Sequence, residues 1–363
     1  MSAAEADTTA EMVDWELAVS TARRMMRPGP EVSRDEAQRV VDELRAGAAA
    51  STAHVRDYTG LTAEAASAPV VIVDRPGWVQ ANADGLRNVL QPLVGKLREK
   101  HPDQHALVSA IGSRVTGVEA GTLLAFLSGK VLGQFDPFWE GPAGGDGSTV
   151  GRMLLVAPNI LQVERDLKVD ATDFRLWVCL HEETHRVQFT AVPWMRDHMR
   201  SEIAALLAAT PVDPATIAAM LRDGFERVSK SMRGDGGGSL LDLVQTKEQK
   251  AVLDRLTAVM SLLEGHADVV MDGVGPSVIP TVDVIRERFT ERRKSGSPID
   301  QMLRRLIGLD AKMRQYRDGA TFVRGVMKTV DMDGFNAVWT SPNTLPTPAE
   351  IADPAAWVRR VHG

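Results

Sequence analysis

Histidines at 181 and 185, with a glutamate at 182, make His181-Glu182-Glu183-Thr184-His185 the stretch of this chain best equipped for chemistry. Four residues is close to one helical turn, so on a helix both imidazoles share a face and can hold one metal ion, zinc being the expected one. Glu182 then stands beside the position of a water on that metal, where its carboxylate can take the water's proton. The pattern fixes only three positions, so its surroundings must support it. Asp170 and Thr172 offer N-cap oxygens, and Pro193 stops a helix near Val192. Between them Phe174, Trp177, Val178, His181, His185 and Gln188 recur on one side. Both histidines therefore ride an apolar face, where an unpartnered imidazole is costly. The competing reading is a pair of packed core histidines; two at this spacing with Glu182 between them favour the metal.

Two histidines need a third protein ligand, leaving one position for water. Glu264 is the candidate. Thr246 and Gln249 form a capping box and Gly273 a C-terminal stop, which predicts a helix over Lys247–Met271. Glu264 falls on its apolar stripe of Leu253, Leu256, Met260, Leu263, Ala267 and Met271, an expensive place for a carboxylate that binds nothing. Asp268, one turn later, suits the other ring N–H of a ligating histidine. His266 is the competing ligand. Helical geometry turns it away from the stripe, towards the helix surface or a pocket rim, where it could touch substrate or an oxyanion.

These helices sit in a mainly α chain with a small β element. Helical patterns cover Val13–Met26, Arg34–Ala49, Leu61–Ala66, Ala81–Lys100 and Val115–Leu132. Pro69–Val73, Val131–Phe135 and Met153–Val156 read as short strands, with a turn at Arg75-Pro76-Gly77. Trp194–Ala209 and Pro214–Met232 read as inserted helices between His185 and Glu264. The expected organisation is an N-terminal helical segment over 1–68 and a core over 69–363, with the insertion at about 193–240. Met153-Leu154-Leu155-Val156-Ala157-Pro158 is either a sheet edge that pairs with an extended substrate or a buried strand beneath the metal helix. The glycine clusters at 141–147 and 234–238 lack the Gly-Lys-Ser/Thr ending of a phosphate loop.

The chain resembles the gluzincin arrangement of thermolysin-type peptidases in His181–His185 followed by a helix carrying Glu264-x-x-x-Asp268. It resembles more closely the actinobacterial zincin-like hydrolases, including a branch linked by genome context to deazaflavin coenzyme biosynthesis. The matching residues are His181-Glu182-x-x-His185-x-x-Gln188-Phe189, Leu263-Glu264-Gly265-His266-Ala267 and Gln315-Tyr316-x-x-Gly319-x-x-Phe322-Val323. The tail from Leu345-Pro346-Thr347 to Trp357 matches as well, so the resemblance spans most of the chain from about Val70 onward. It implies a zincin-like metallopeptidase architecture and brings no known substrate. The interval from His185 to Glu264 departs from the short spacing of thermolysin-like enzymes. Tyr316 matches the family and has an O–H able to stabilise an oxyanion, against the alternative of a packed tyrosine bonded to backbone.

Composition narrows the remainder. At 363 residues the chain can bury a sizeable core, and 44% hydrophobic with 25% charged residues is ordinary for a globular protein. A net charge of -6 argues against a general nucleic-acid binder. The single cysteine, Cys179, excludes an internal disulfide and reads as core packing. No secretory leader and no apolar run of ~18 residues is present, so a cytoplasmic protein without membrane contact is expected. Arg286, Arg288, Arg292, Arg293 and Lys294 alternate with Glu287 and Glu291 as a solvated face, with anion binding as the alternative. Together these readings describe a hydrolase with one zinc per chain on His181, His185 and Glu264. Glu182 is its base and a peptide or protein its substrate. A zinc-holding interaction or regulatory module and a hydrolase of small amides are the other readings.

Overall fold

The computed structural model describes residues 13–62, 68–100, 106–141, 151–209, 246–294 and 309–363, which fall into two compact units. The described part of the first is 13–28, 75–100 and 106–130. It contains α1 (Trp15–Met25), α3 (Arg75–Lys100) and α4 (Ala106–Ser128). Asp14 caps α1 by accepting the Leu17 N–H at 2.9 Å, and its own N–H bonds Ser113 O of α4. Trp15, Ala18, Val19 and Ala22 form the buried stripe of α1. Arg75-Pro76-Gly77 is not the expected turn: it opens α3, where the missing N–H of a first-turn proline costs no bond. Arg75 donates from that position to Arg27 O and Pro28 O.

The second unit holds α2 (Arg34–Thr59), β1 (Val70–Val73), β2 (Gly133–Asp136), β3 (Arg152–Val156), α5 (Ala157–Leu167), α6 (Ala171–Thr190) and α7 (Met195–Ala209). It continues with α8 (Lys247–Val278), α9 (Val282–Lys294), α10 (Leu309–Phe335), two 3-10 turns, α11 (Pro348–Ala352) and α12 (Pro354–His362). Grouping follows contact rather than chain order. The buried stripe Val40, Leu44, Ala48 and Val55 draws α2 onto α6.

The sheet has the order β1-β3-β2, with β1 parallel and β2 antiparallel to β3. β3 is therefore the central strand, with Met153–Val156 buried on both faces. It is not an edge that could receive substrate. Pro158 belongs to the first turn of α5, not to a strand. A short apolar run is ambiguous from sequence because a two-sided buried strand lacks alternation.

Two apolar clusters fill this unit. One joins α2, β3, α5, α6 and α9; the other joins α7, the middle of α8, α10 and the C-terminal turns. Met195 and Met199 on α7, the described part of the insertion, lie in the second cluster, and Trp194 Nε1 donates to Trp339 O at 2.9 Å. Pro214–Met232 lies outside the described residues. Among the described residues, no helix is long and apolar enough to cross a membrane.

Candidate metal centre

α6 begins where Asp170 accepts the Asp173 N–H at 2.9 Å, and its middle is buried almost all round. A helix so enclosed must satisfy its own charges. Glu183 does so with Arg186, whose Nε and Nη2 donate at 2.7 and 2.6 Å, and Arg175 does so with Glu164 and Glu43. The second glutamate of the His-Glu-Glu-Thr-His stretch is thus a fully buried structural ion pair. Cys179 is likewise core: its thiol lies 3.6 Å from Leu44 O, and burial pushes its pKa up to about 12.

α8 starts with the expected capping box of Thr246 and Gln249. It runs through Gly273 to Val278, beyond the expected stop. Gly273 is a packing glycine here, since a Cβ would lie 2.0 Å from the Tyr58 ring. Directly after Leu263 of the second cluster, Glu264 projects towards α6.

His181 Nε2 and His185 Nε2 lie 3.2 Å apart, and Glu264 Oε2 lies 3.7 Å from each. Tetrahedral zinc with bonds of roughly 2.0–2.2 Å needs ligand atoms about 3.3 Å apart, and a point about 2.1 Å from all three atoms exists here. Two neutral nitrogens and one carboxylate are also a donor set that zinc accepts. The residues fit the metal.

Gln188 fixes the outer side of this triad. Its amide must donate to Leu263 O (2.8 Å), because a carbonyl can only accept, which identifies Nε2 and leaves Oε1 facing His185 Nδ1 at 3.0 Å. Neutral His185 therefore carries its proton on Nδ1 and turns the Nε2 lone pair inward, as a metal ligand must. The second amide proton reaches His266 Nδ1 at 3.0 Å, which leaves the His266 proton on Nε2. That N–H is buried and, among the described residues, without an acceptor, in a slot between Phe335, stacked at 5.5 Å, and Trp339 at 5.3 Å. Burial, with His185 adding to it, pushes His266 down to about 3. Burial also disfavours the His185 cation, but the Glu264 and Glu182 carboxylates and Gln188 outweigh it and hold its pKa up at about 9.

Glu182 lies under the same face, 6% exposed, and burial together with the Glu264 charge raises its pKa to about 7 despite His185. Its carboxyl rests against the backbone of β2: a Cβ on Gly133 would stand 2.4 Å from Glu182 Cγ and 2.7 Å from Oε1. A cavity of about 390 Å³ opens here, lined by Gly133, His181 and Glu182 at one end and by Asp268, Asp272, Arg286 and Arg324 elsewhere.

Residues 13–358 match the zincin-like metallopeptidase family. The chain belongs to it. A solved structure described as a candidate hydrolase with a novel fold, from Chloroflexus aurantiacus, is similar at 30% identity and a TM-score of 0.69, covering 96% of this chain and 99% of that one. No curated protein matches.

Within this zincin-like frame the structure brings His181, His185, Glu264 and Glu182 together. Asp268 stands exposed in the cavity wall with His181, and near the guanidinium of Arg286. At His185 the outer nitrogen meets Gln188, a partner the sequence reading did not assign. His266 is neither on the helix surface nor at a rim: it is fully buried, because Phe335 and Trp339 close over that side of α8. The side chain of Tyr316 lies outside the described residues. Of the basic run on α9, Arg288 donates to Leu167 O and Lys168 O at the end of α5, while Arg286 enters the cavity.

Gly265 and Gly319 also acquire a reason. A Cβ on Gly265 would lie 2.1 Å from the Gly319 carbonyl carbon, and one on Gly319 would lie 1.9 Å from Ser261 O. α8 and α10 cross there in backbone contact, between Glu264 and His266.

Proposed function

We propose that this zincin-like protein is a zinc-dependent hydrolase of peptide bonds. The observation that carries the reading is the convergence of His181, His185 and Glu264 beside a buried Glu182 that lines the same cavity as His181. Zinc held by those three side chains would supply Lewis acidity towards the scissile carbonyl and acidify a water. Glu182 takes the proton of the attacking water as its oxygen joins the carbonyl carbon, then delivers that proton to the departing amine as the C–N bond breaks. Asp268, on the cavity side of α8, is assigned to orient His181 as Gln188 orients His185.

β2 is proposed as the rail for the substrate backbone. Leu132 O accepts from Val156 N at 2.8 Å, so by the alternation of an antiparallel ladder the N–H and C=O groups of Gly133 and Phe135 point away from β3. Among the described residues, β2 pairs with β3 alone. A peptide added there runs past Glu182.

The test is a peptide-library cleavage screen on zinc-loaded protein, with Glu182→Gln as control. The account expects cleavage by wild type and a loss of about 100-fold or more in the variant, the scale of removing a general base, with zinc retained. No cleavage, together with partner capture equal in both proteins, would point instead to a zinc-holding interaction module.

A further inference from the structure

The end of the cavity away from Glu182 is built differently from the metal end. Asp272 is held there by two arginines from two helices: Arg286 Nη1 reaches its Oδ1 and Arg324 Nη2 its Oδ2. One carboxylate thus occupies one donor on each of two five-donor forks. Among the described residues the buried Nε–H of Arg286 has no acceptor, so that guanidinium keeps a donor unfilled even with Asp272 in place. Asp268 adds a second negative charge beside Arg286, and the four side chains sum to zero. Selection at this end therefore comes from unfilled, converging donors rather than from excess charge. Between it and the metal ligands the wall is aromatic: Trp177 and Phe289 meet edge to face at 5.1 Å. His181 and Glu182, the apolar wall and the paired guanidiniums line one small chamber of about 390 Å³, towards the lower end of ligand pockets of roughly 300–1,000 Å³.

We propose that Arg286 and Arg324 form a carboxylate subsite, so that the preferred substrate is a short peptide carrying a carboxylate beyond the scissile bond, with the intervening side chain packed on Trp177 and Phe289. Paired guanidiniums match a planar carboxylate in a way that no neutral amide does. The chain's own Asp272 occupies the forks in part and a substrate carboxylate takes up the donors it leaves. The carboxylate can be the C-terminal one or an acidic side chain. The inference rests on the hydrolytic reading of the metal centre.

The test is calorimetric binding to zinc-loaded Glu182→Gln protein of three blocked tripeptides: acetyl-Ala-Ala-Phe with a free carboxylate, the same peptide as its amide, and acetyl-Ala-Glu-Phe-amide. A carboxylate peptide is expected to bind about 10- to 100-fold more tightly than the neutral amide, the worth of a charge-assisted hydrogen bond. Which of the two acidic peptides gains tells the terminal from the side-chain source. Adding Arg286→Gln or Arg324→Gln should reduce the advantage to within about twofold, while Asp272→Asn, which frees the forks, should enlarge it. Arg286→Lys, which keeps the charge without the fork, should fall between. Equal binding of all three peptides overturns the proposal. So does an advantage that survives both arginine variants, since the metal would then be holding the carboxylate, and so does an advantage that shrinks in Asp272→Asn. Zinc content and amide cleavage by wild type are read separately. One zinc with cleavage but no carboxylate preference sinks this inference alone, whereas absence of zinc sinks the reading beneath it as well.

Discussion

A neutral amide, not a carboxylate, faces the outer nitrogen of His185, and that choice sets how tightly the imidazole is held and how much electron density it gives a metal. Gln188→Ala should weaken zinc binding about 10–100-fold in a chelator competition, the usual cost of losing such a partner; an unchanged affinity would leave Gln188 as packing only. In metal-free protein His185 is held up at about 9, so zinc must displace a proton at neutral pH. Apparent affinity should therefore rise about tenfold per pH unit below that value, and a flat profile between about pH 6 and 8 would contradict the assignment. His266 acts in the opposite sense on stability. Its folded pKa of about 3 lies below the unfolded value near 6.5. As pH falls through that window only the unfolded chain gains the proton, costing up to about 1.4 kcal/mol per pH unit. Denaturant unfolding of metal-free protein between about pH 6 and 4 should be flatter with pH in His266→Phe than in wild type; parallel profiles would deny His266 this role. His181, Glu182, His185 and Glu264 were legible because one helical period and one expensive carboxylate announce them. Gln188 was visible on the right face, yet its bonds to Leu263 and His266 reach 75 and 78 residues along the chain, where periodicity says nothing.

The crossing of α8 and α10 decides where Glu264 stands. Backbone meets backbone at Gly265 and Gly319, so a single added methyl must force the helices apart. Gly265→Ala should destabilise by roughly 1–3 kcal/mol or more, as overpacking does, and should lower zinc affinity with it; a variant as stable as wild type would mean the crossing is loose. At Gly133 the same argument has a chemical outcome. The added Cβ displaces the Glu182 carboxyl, so Gly133→Ala should keep its zinc yet lose turnover, measured beside Glu182→Gln. Most helices could be read from caps and apolar period, and the capping box of α8 places its start correctly. The sheet order could not, because β1 and β3 are joined in parallel across a long stretch of chain and both lack alternation. Gly273 misled for a related reason: glycine signals a stop or a close neighbour equally, and Tyr58 decided between them.

Across the whole chain, elements distant in sequence are sorted into two units, and the metal centre and its cavity lie in the second. α6 carries His181 and His185 and α8 carries Glu264, each helix running between apolar clusters that fix its axis. A folded site that the unfolded chain lacks couples metal to stability: zinc at about 100 times its dissociation constant should add about 2.7 kcal/mol to unfolding. The most direct measurement is anomalous diffraction at the zinc edge from crystals of zinc-loaded protein. The account predicts one peak per chain, bonded to His181 Nε2, His185 Nε2 and a Glu264 carboxylate oxygen, with Glu182 adjacent and unligated. A peak that takes His266 as a ligand, or that stands away from α6, would contradict it.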